Sequence, residues 1–434
     1  MSIVVRGRIR AVAVGAAVAA MLSVATVAAG PARAQAPPVC HEHAAPPGPP
    51  AVEEGPTPVA PLPVQDPAVG GPALGTCDLA LPAGAPPLPT GIDAAGWVVA
   101  DLDSGAVLAA RDAHGRQRPA STLKLLTTLV VLDRLPMDQV VSGDMSDVQV
   151  DGSRAGIGPG GTYTVQQLLS GLLLNSGNDT AHALARTLGG VPQTLDLMQQ
   201  RAAALGALDT RPATPSGLDG PGMSTSAYDL ALLFRAAMRN PTFAELTQTR
   251  LVQFPGFGTH AGFMLSNDDP LLRSYDGALG GKTGFTDAAR HTFVGAARRD
   301  GRRIVVALVR GEQHPVRMVA QASTLLDYGF ALPAGLAPVG TLVDQAPVTS
   351  APATPGAPAP QGSLPESSSP VGWIVAGLVL LVGLSAAVGY VVRRVRAGAD
   401  DSDGYLDGPA RPRRPAGPHT PPSAAPPEPR ADES

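Results

Sequence analysis

Arg118-Pro119-Ala120-Ser121-Thr122-Leu123-Lys124 is the stretch on which the reading of this chain turns. The apolar spacing over 121–134, free of breakers, predicts a helix. Residues three apart share a helix face, so Lys124 reaches back toward the Ser121 hydroxyl. A serine hydroxyl is a poor nucleophile at neutral pH and needs an adjacent base. A lysine serves as that base only when burial or a second cation strips its proton. Such a pair is a Ser-Lys variant of the nucleophile–base–orienter arrangement. A serine at the helix N-terminus also gains backbone N–H groups and a positive dipole end for a developing oxyanion.

Composition gives this stretch independent weight. The chain has 434 residues and 32 Lys and Arg, of which only Lys124 and Lys282 are lysines. Arginine meets any need for a fixed positive charge but does not lose its proton. The two lysines therefore mark places where an ammonium or a neutral amine is needed. Lys282 opens Lys282-Thr283-Gly284, on a predicted strand and followed by Phe285. It is the second cation that depresses Lys124. Thr283 adds a hydroxyl, and Gly284 permits close backbone approach. The edge of such a strand accepts an extended peptide.

Between them stands Ser176-Gly177-Asn178, in the break between helices predicted at 165–174 and 179–188. Thr164 and Gln167 form a capping box for the first, and Gly189-Gly190 ends the second. Ser176 is placed to relay a proton to a leaving amine. Asn178 offers an amide to a substrate peptide group, or caps the following helix, or does both.

Outward from these motifs, strands are predicted at 97–102 and 106–110, and a further helix capped by Ser226 and Asp229. Strands follow at 251–254, 281–285, 292–298 and 303–309, with Asp300-Gly301 as the hairpin turn between the last two. A helix over 316–328 closes the domain. Strands, then helices, then an antiparallel run, then a helix is an α+β order rather than a doubly wound one.

The ends are low in complexity, and the chain's 46 prolines cluster there. Arginines before an apolar run and Ala32-Arg33-Ala34 predict a signal peptide over 1–34. A Pro-rich arm is expected over 35–93, the catalytic domain over 94–335 and a Pro/Ala/Ser-rich spacer over 336–370. Residues 371–392, uncharged and followed by Arg393, Arg394 and Arg396, are expected to span a membrane. That reading puts the catalytic domain outside the cell membrane and a disordered tail, 393–434, in the cytoplasm. Cys40 and Cys77 then lie in an exported segment, where they pair as a disulfide or remain as two thiols. Net charge is -4 with no basic stripe, which excludes nucleic acid as a partner.

The three motifs resemble the set shared by penicillin-binding proteins and serine β-lactamases. The flanking sequence narrows the likeness. Arg118 to Lys124, Asn175-Ser176-Gly177-Asn178-Asp179, and Asp276-Gly277 leading to Lys282-Thr283-Gly284-Phe285-Thr286-Asp287 are similar to the D-alanyl-D-alanine carboxypeptidase branch, the low-molecular-mass penicillin-binding proteins. The resemblance covers roughly 96–330. It implies a β-lactamase/transpeptidase-like fold, with an antiparallel sheet flanked by helices, a helical lobe, and the site between. It implies a serine peptidase that removes the terminal D-alanine from peptidoglycan stem pentapeptides through an acyl-enzyme on Ser121, with penicillins and other β-lactams as inhibitors. Ser121, Lys124 and Ser176 become catalytic. Asn178, Lys282, Thr283, Gly284 and Phe285 become substrate-binding, with an oxyanion hole from the N–H groups of Ser121 and Phe285. No cofactor or metal is implied. The chain departs from many relatives in having a Pro-rich spacer and an apolar run where they carry a β-rich domain and an amphipathic anchor.

Rival functions share the motifs. A serine β-lactamase of the commonest type deacylates with a glutamate between the second and third motifs, and Glu245 is the only glutamate there. A D,D-endopeptidase shares the acyl-enzyme, and a catalytically silent wall-binding protein has no reason to keep all three motifs. The histidines, including His41, His43, His260, His291 and His314, show no metal spacing. Arg310 and Arg317 are candidates for the substrate carboxylate, but a surface role for them, and for Arg290, is the simpler reading.

Overall fold

The computed structural model describes residues 40–47, 59–333 and 335–347. In chain order the strands are β1 (Leu79–Ala80), β2 (Gly96–Asp101), β3 (Ala106–Arg111), β4 (Val140–Ser142), β5 (Thr162–Thr164), β6 (Leu251–Phe254), β7 (Phe263–Ser266), β8 (Ala278–Thr286), β9 (Arg290–Arg299), β10 (Arg302–Gly311) and β11 (Gly340–Thr341). The helices are α1 (Lys124–Arg134), α2 (Met145–Val148), α3 (Val165–Leu174), α4 (Asn178–Thr187), α5 (Val191–Leu205), α6 (Ala227–Ala237), α7 (Pro241–Gln248), α8 (Leu271–Ser274) and α9 (Met318–Ala331).

A seven-stranded sheet in the order β1-β3-β2-β10-β9-β8, with β11 also on β3, forms the body. Its pairings are antiparallel. The run Ile304-Val305-Val306-Ala307-Leu308-Val309 explains how it is covered. Side chains alternate across a strand. Val305, Ala307 and Val309 accordingly join one core with the helical lobe, while Ile304, Val306 and Leu308 join a second core with Met318, Ala322, Leu325 and Leu326 of α9. A strand buried on both faces reads as a continuous apolar run, as this one does. The hairpin before it has Arg302 opposite Arg299. Asp300 and Gly301 take φ of 50° and 80°, the left-handed pair that a two-residue turn needs to match strand twist.

The helix predicted over 121–134 begins differently. Ala120–Leu123 is a 3-10 turn, and the α-helix starts at Lys124. Thr122 accounts for part of this, since its hydroxyl donates to the Pro119 carbonyl at 2.6 Å. The strand at 251–254 pairs with β7 in a separate ribbon rather than joining the main sheet.

Residues of the arm and of the expected spacer contribute to the core. Val69, Leu74 and Ala80 are buried, as is Leu342 beside β11. Cys40 and Cys77 are joined as a disulfide, with Cα atoms 5.4 Å apart. The Arg116 side chain is 1% exposed in the full residue and clamps the arm. Its guanidinium donates to the carbonyls of Ala44, Leu62 and Pro63 at 2.9, 2.6 and 2.8 Å.

The membrane expectations are corrected. Among the described residues no helix is long and apolar enough to cross a membrane. The longest, α5, has 15 residues, which rise only about 22 Å against a hydrocarbon core of about 30 Å. The fold of the described residues is thus the α+β domain, with no membrane-spanning helix among them. The spanning helix expected over 371–392 lies outside the described residues, as do the expected signal peptide over 1–34 and the tail over 393–434. Single-pass placement, an extracytoplasmic domain with a cytoplasmic C-terminus, and the membrane as a partner all rested on that helix, and they are withdrawn with it.

Candidate active site

The three motifs, scattered from Ser121 to Gly284 in the sequence, converge where the helical lobe meets the β8 edge of the sheet. Ser121 lies in the 3-10 turn, directly after Ala120, whose φ of 48° is left-handed. The turn is held from two sides. Thr292 of β9 donates its hydroxyl to the Pro119 carbonyl at 2.8 Å. Gly217 packs so closely that a Cβ there would fall 1.9 Å from the Ala120 oxygen.

Lys124 is fully buried. Its Nζ lies 2.9 Å from Ser121 Oγ, 2.7 Å from Asn178 Oδ1 and 2.7 Å from the Ser216 carbonyl oxygen. Burial, and then the positive charge of Lys282, pushes the Lys124 ammonium well below the usual lysine range, against the opposing pull of Asp268 and Asp179. A neutral amine has two N–H bonds and one lone pair. The Ser216 carbonyl can only accept. Asn178 presents its oxygen, because its Nδ2 donates to the Asp151 carbonyl at 2.6 Å. In a neutral amine these two acceptors would take both N–H bonds and leave the lone pair toward the Ser121 hydroxyl.

Lys282 is 1% exposed, and its ammonium donates to the Thr283 carbonyl at 3.0 Å. Burial lowers it too, opposed by Asp268 and Asp269. Gly284 is where β8 meets the nucleophile. A Cβ there would fall 2.9 Å from the Ser121 nitrogen and 2.4 Å from Thr292 Oγ1, so no larger residue fits without displacing the turn. The close approach brings the backbone around Phe285 beside Ser121. The Phe285 ring is exposed and lies 4.5 Å from the His291 ring. Ser176 is buried at the helix break, with a φ of 56°. The Asn178 side chain, with both ends engaged inside the protein, orients Lys124 in this arrangement. It can hold a substrate carbonyl only if Nδ2 leaves Asp151.

Two contributors to this geometry were not legible from the motifs, the backbone carbonyls of Ser216 and Asp151. A third residue near the site is Arg317, which the sequence offered for the substrate carboxylate and which the simpler reading left on the surface. It lines a cavity of about 380 Å³ together with Thr283, Gly284, His291, Gln313 and His314. Arg290 is committed to Glu312 at 2.8 Å and Arg310 to the Ala288 carbonyl at 3.1 Å. The Arg317 guanidinium has no hydrogen-bond or ionic partner among the described residues, although its carbonyl accepts from the Ala320 and Gln321 N–H groups at 2.8 and 3.0 Å.

A second polar cluster, His114 with Asp209 and Asp229, has ligand atoms within 4.8 Å of one another. The His114 ring spends one nitrogen on Asp209 at 2.7 Å and the other on the Val69 carbonyl at 3.0 Å. Arg116 adds its charge at 3.1 Å from Asp209. No ring nitrogen is left for an ion, and the cluster ties the arm to the domain.

A serine 2.9 Å from a buried lysine amine, beside the exposed edge of an antiparallel sheet, is the arrangement of the penicillin-binding, transpeptidase-like class of acyl-transfer enzymes. The family profile of the D-alanyl-D-alanine carboxypeptidases matches residues 83–313. D-alanyl-D-alanine carboxypeptidase DacB2 of Mycobacterium tuberculosis is 51% identical over 256 residues, spanning 58% of this chain and 87% of that protein. The crystal structure of a D-alanyl-D-alanine carboxypeptidase from M. tuberculosis H37Rv superposes with a TM-score of 0.58 at 48% identity, covering 60% of this chain and 99% of the other. The Streptomyces K15 DD-transpeptidase gives 0.54 at 30% identity, covering 57% and 100%. The chain belongs to the D-alanyl-D-alanine carboxypeptidase family and is a serine-type peptidase.

Proposed function

We propose that the carboxypeptidase reaction of this chain runs through an acyl-enzyme on Ser121, with neutral Lys124 as its base. The observation that carries this reading is the buried Lys124 amine, with Nζ 2.9 Å from Ser121 Oγ and 2.7 Å from each of two fixed acceptors, Asn178 Oδ1 and the Ser216 carbonyl. Ser121 Oγ attacks the carbonyl of the peptide bond before a terminal D-alanine, and Lys124 takes its proton. The N–H groups of Ser121 and Phe285 receive the oxyanion. The proton passes by way of Ser176 to the amine of the departing D-alanine, and water then releases the shortened stem peptide. The stem peptide lies extended along β8, and its terminal carboxylate sits against Thr283 and Arg317.

The reading is tested by D-alanine release from a stem pentapeptide and from the same peptide with its C-terminus amidated. In Arg317→Ala the KM for the free acid is expected to rise on the order of 10- to 100-fold, the worth of a hydrogen bond to a charged group. The amide should be a poor substrate for both proteins and indifferent to the change. Equal losses on both peptides would remove Arg317 from the carboxylate site.

Penicillin binding follows from the same chemistry. The glutamate between the second and third motifs, Glu245, is exposed on α7 rather than at the site. A penicillin adduct on Ser121 is therefore expected to persist for minutes or longer by intact-protein mass spectrometry. Turnover within seconds would make the chain a β-lactamase instead.

A further inference from the structure

Asp179 follows the second motif and is fully buried. It makes no ion pair among the described residues. Its carboxylate instead gathers four backbone N–H groups. Ala155 and Thr180 donate to Oδ1 at 2.9 and 2.8 Å, and Gly156 and Ile157 donate to Oδ2 at 2.7 and 3.1 Å. A buried carboxylate is tolerated only when its oxygens are satisfied, and here the satisfaction comes almost wholly from one loop.

That loop, 151–157, reaches the site at three points. The Asn178 N–H donates to the Ser153 carbonyl at 2.7 Å, and Asn175 Nδ2 donates to the Arg154 carbonyl at 2.7 Å. Asn178 Nδ2 donates to the Asp151 carbonyl at 2.6 Å. Gly152, at φ +85°, is what lets the loop come so near, since a Cβ there would fall 2.6 Å from Asn178 Nδ2. The Asp151 carbonyl is an acceptor only, so it fixes which end of the Asn178 amide faces Lys124. With the amide reversed, an N–H group would face Lys124 and compete with Ser121 for the lone pair.

We propose that Asp179 is a positioning residue for the reaction: by gathering the N–H groups of the 155–157 segment it holds the Asp151 carbonyl where it sets the Asn178 amide, and so aims the Lys124 lone pair at Ser121. This rests on Lys124 being the base. The charged groups that face Lys124 are Asp179 from α4, Lys282 from β8 and Asp268 from the turn before α8; Ser216 contributes a carbonyl alone. Asp179 therefore also acts on Lys124 by charge. Its negative charge favours the ammonium, so removing it makes the neutral base available at lower pH.

The test uses the full chain and three variants, read by kcat, KM and the pH profile of kcat/KM for D-alanine release. Asp179→Asn keeps one acceptor oxygen but turns an N–H group toward the loop. Its kcat is expected to fall on the order of 10- to 100-fold, the scale of a misplaced catalytic group. KM should change little, and the acid limb should move to lower pH. Gly152→Ala keeps the carboxylate and pushes the Asp151 carbonyl away, so kcat should fall with the acid limb unmoved. Leu184→Ala, a buried leucine of the same helix, controls for lost stability and should leave the limb in place. Native kcat in Asp179→Asn or Gly152→Ala, or an unshifted acid limb in Asp179→Asn, overturns the assignment. Activity surviving in Lys124→Arg would instead overturn the base itself, so the two failures are separable.

Discussion

Ser121→Ala is expected to lose D-alanine release by a factor on the order of 10⁶, the scale seen when a covalent nucleophile is removed. It should also form no penicillin adduct. The change deletes one oxygen at a half-buried position, and the turn around it is held by Thr292, Thr122 and Gly217 rather than by the serine. The melting temperature should therefore stay close to native, and the loss can be read as chemistry. Release at the native rate by the folded variant would refute the nucleophile. A variant that still acquired the mass of penicillin would place the acyl group elsewhere.

Lys124→Arg carries the second large effect. Both residues are cations in water, so a role for Lys124 as a mere positive charge predicts partial activity. The structure predicts otherwise. Lys124 is buried, its two acceptors are fixed, and burial together with Lys282 drives it toward the neutral amine. A guanidinium does not give up its proton in a protein. The expected loss in kcat/KM is about 10² to 10⁴-fold, the usual worth of a general base. The added volume in a closed site will also lower stability, so a Lys124→Met protein, closer in size, serves as the companion. Both should be slow in acylation by penicillin at every pH, without the acid limb expected of the native enzyme. Acylation near the native rate in a folded Lys124→Arg protein would show that a fixed charge suffices.

The parts of the site that were legible share one property: they are rare side chains whose chemistry restricts where they can be used. Two lysines among 32 basic residues could be read as special from composition alone. The sequence also showed the run Ile304 to Val309 as a strand, because burial on both faces leaves no polar alternation. It showed the Asp300-Gly301 turn, because few residues tolerate its φ values. The arm was less legible. Val69 and Leu74 are single apolar anchors in a Pro-rich background. They produce no period, and their burial depends on Arg116 and the disulfide drawing the arm onto the domain. Arg317 was named from the sequence only alongside Arg310 and was left on the surface. What sets it apart is that Arg290 and Arg310 are paired with other partners, and pairing is a property of the folded chain.

Ser121, Lys124 and Lys282 were thus singled out by the sequence: the proposed nucleophile, the lysine three residues on, and the proposed tuning cation. The direction of the lone pair was decided only by the tertiary structure. That direction depends on two carbonyl oxygens, of Ser216 and Asp151, and on the loop that Asp179 holds in place. Every residue carries a carbonyl, so its sequence position says nothing about its use. Only folding brings one particular carbonyl, that of Ser216, to 2.7 Å from the Lys124 amine.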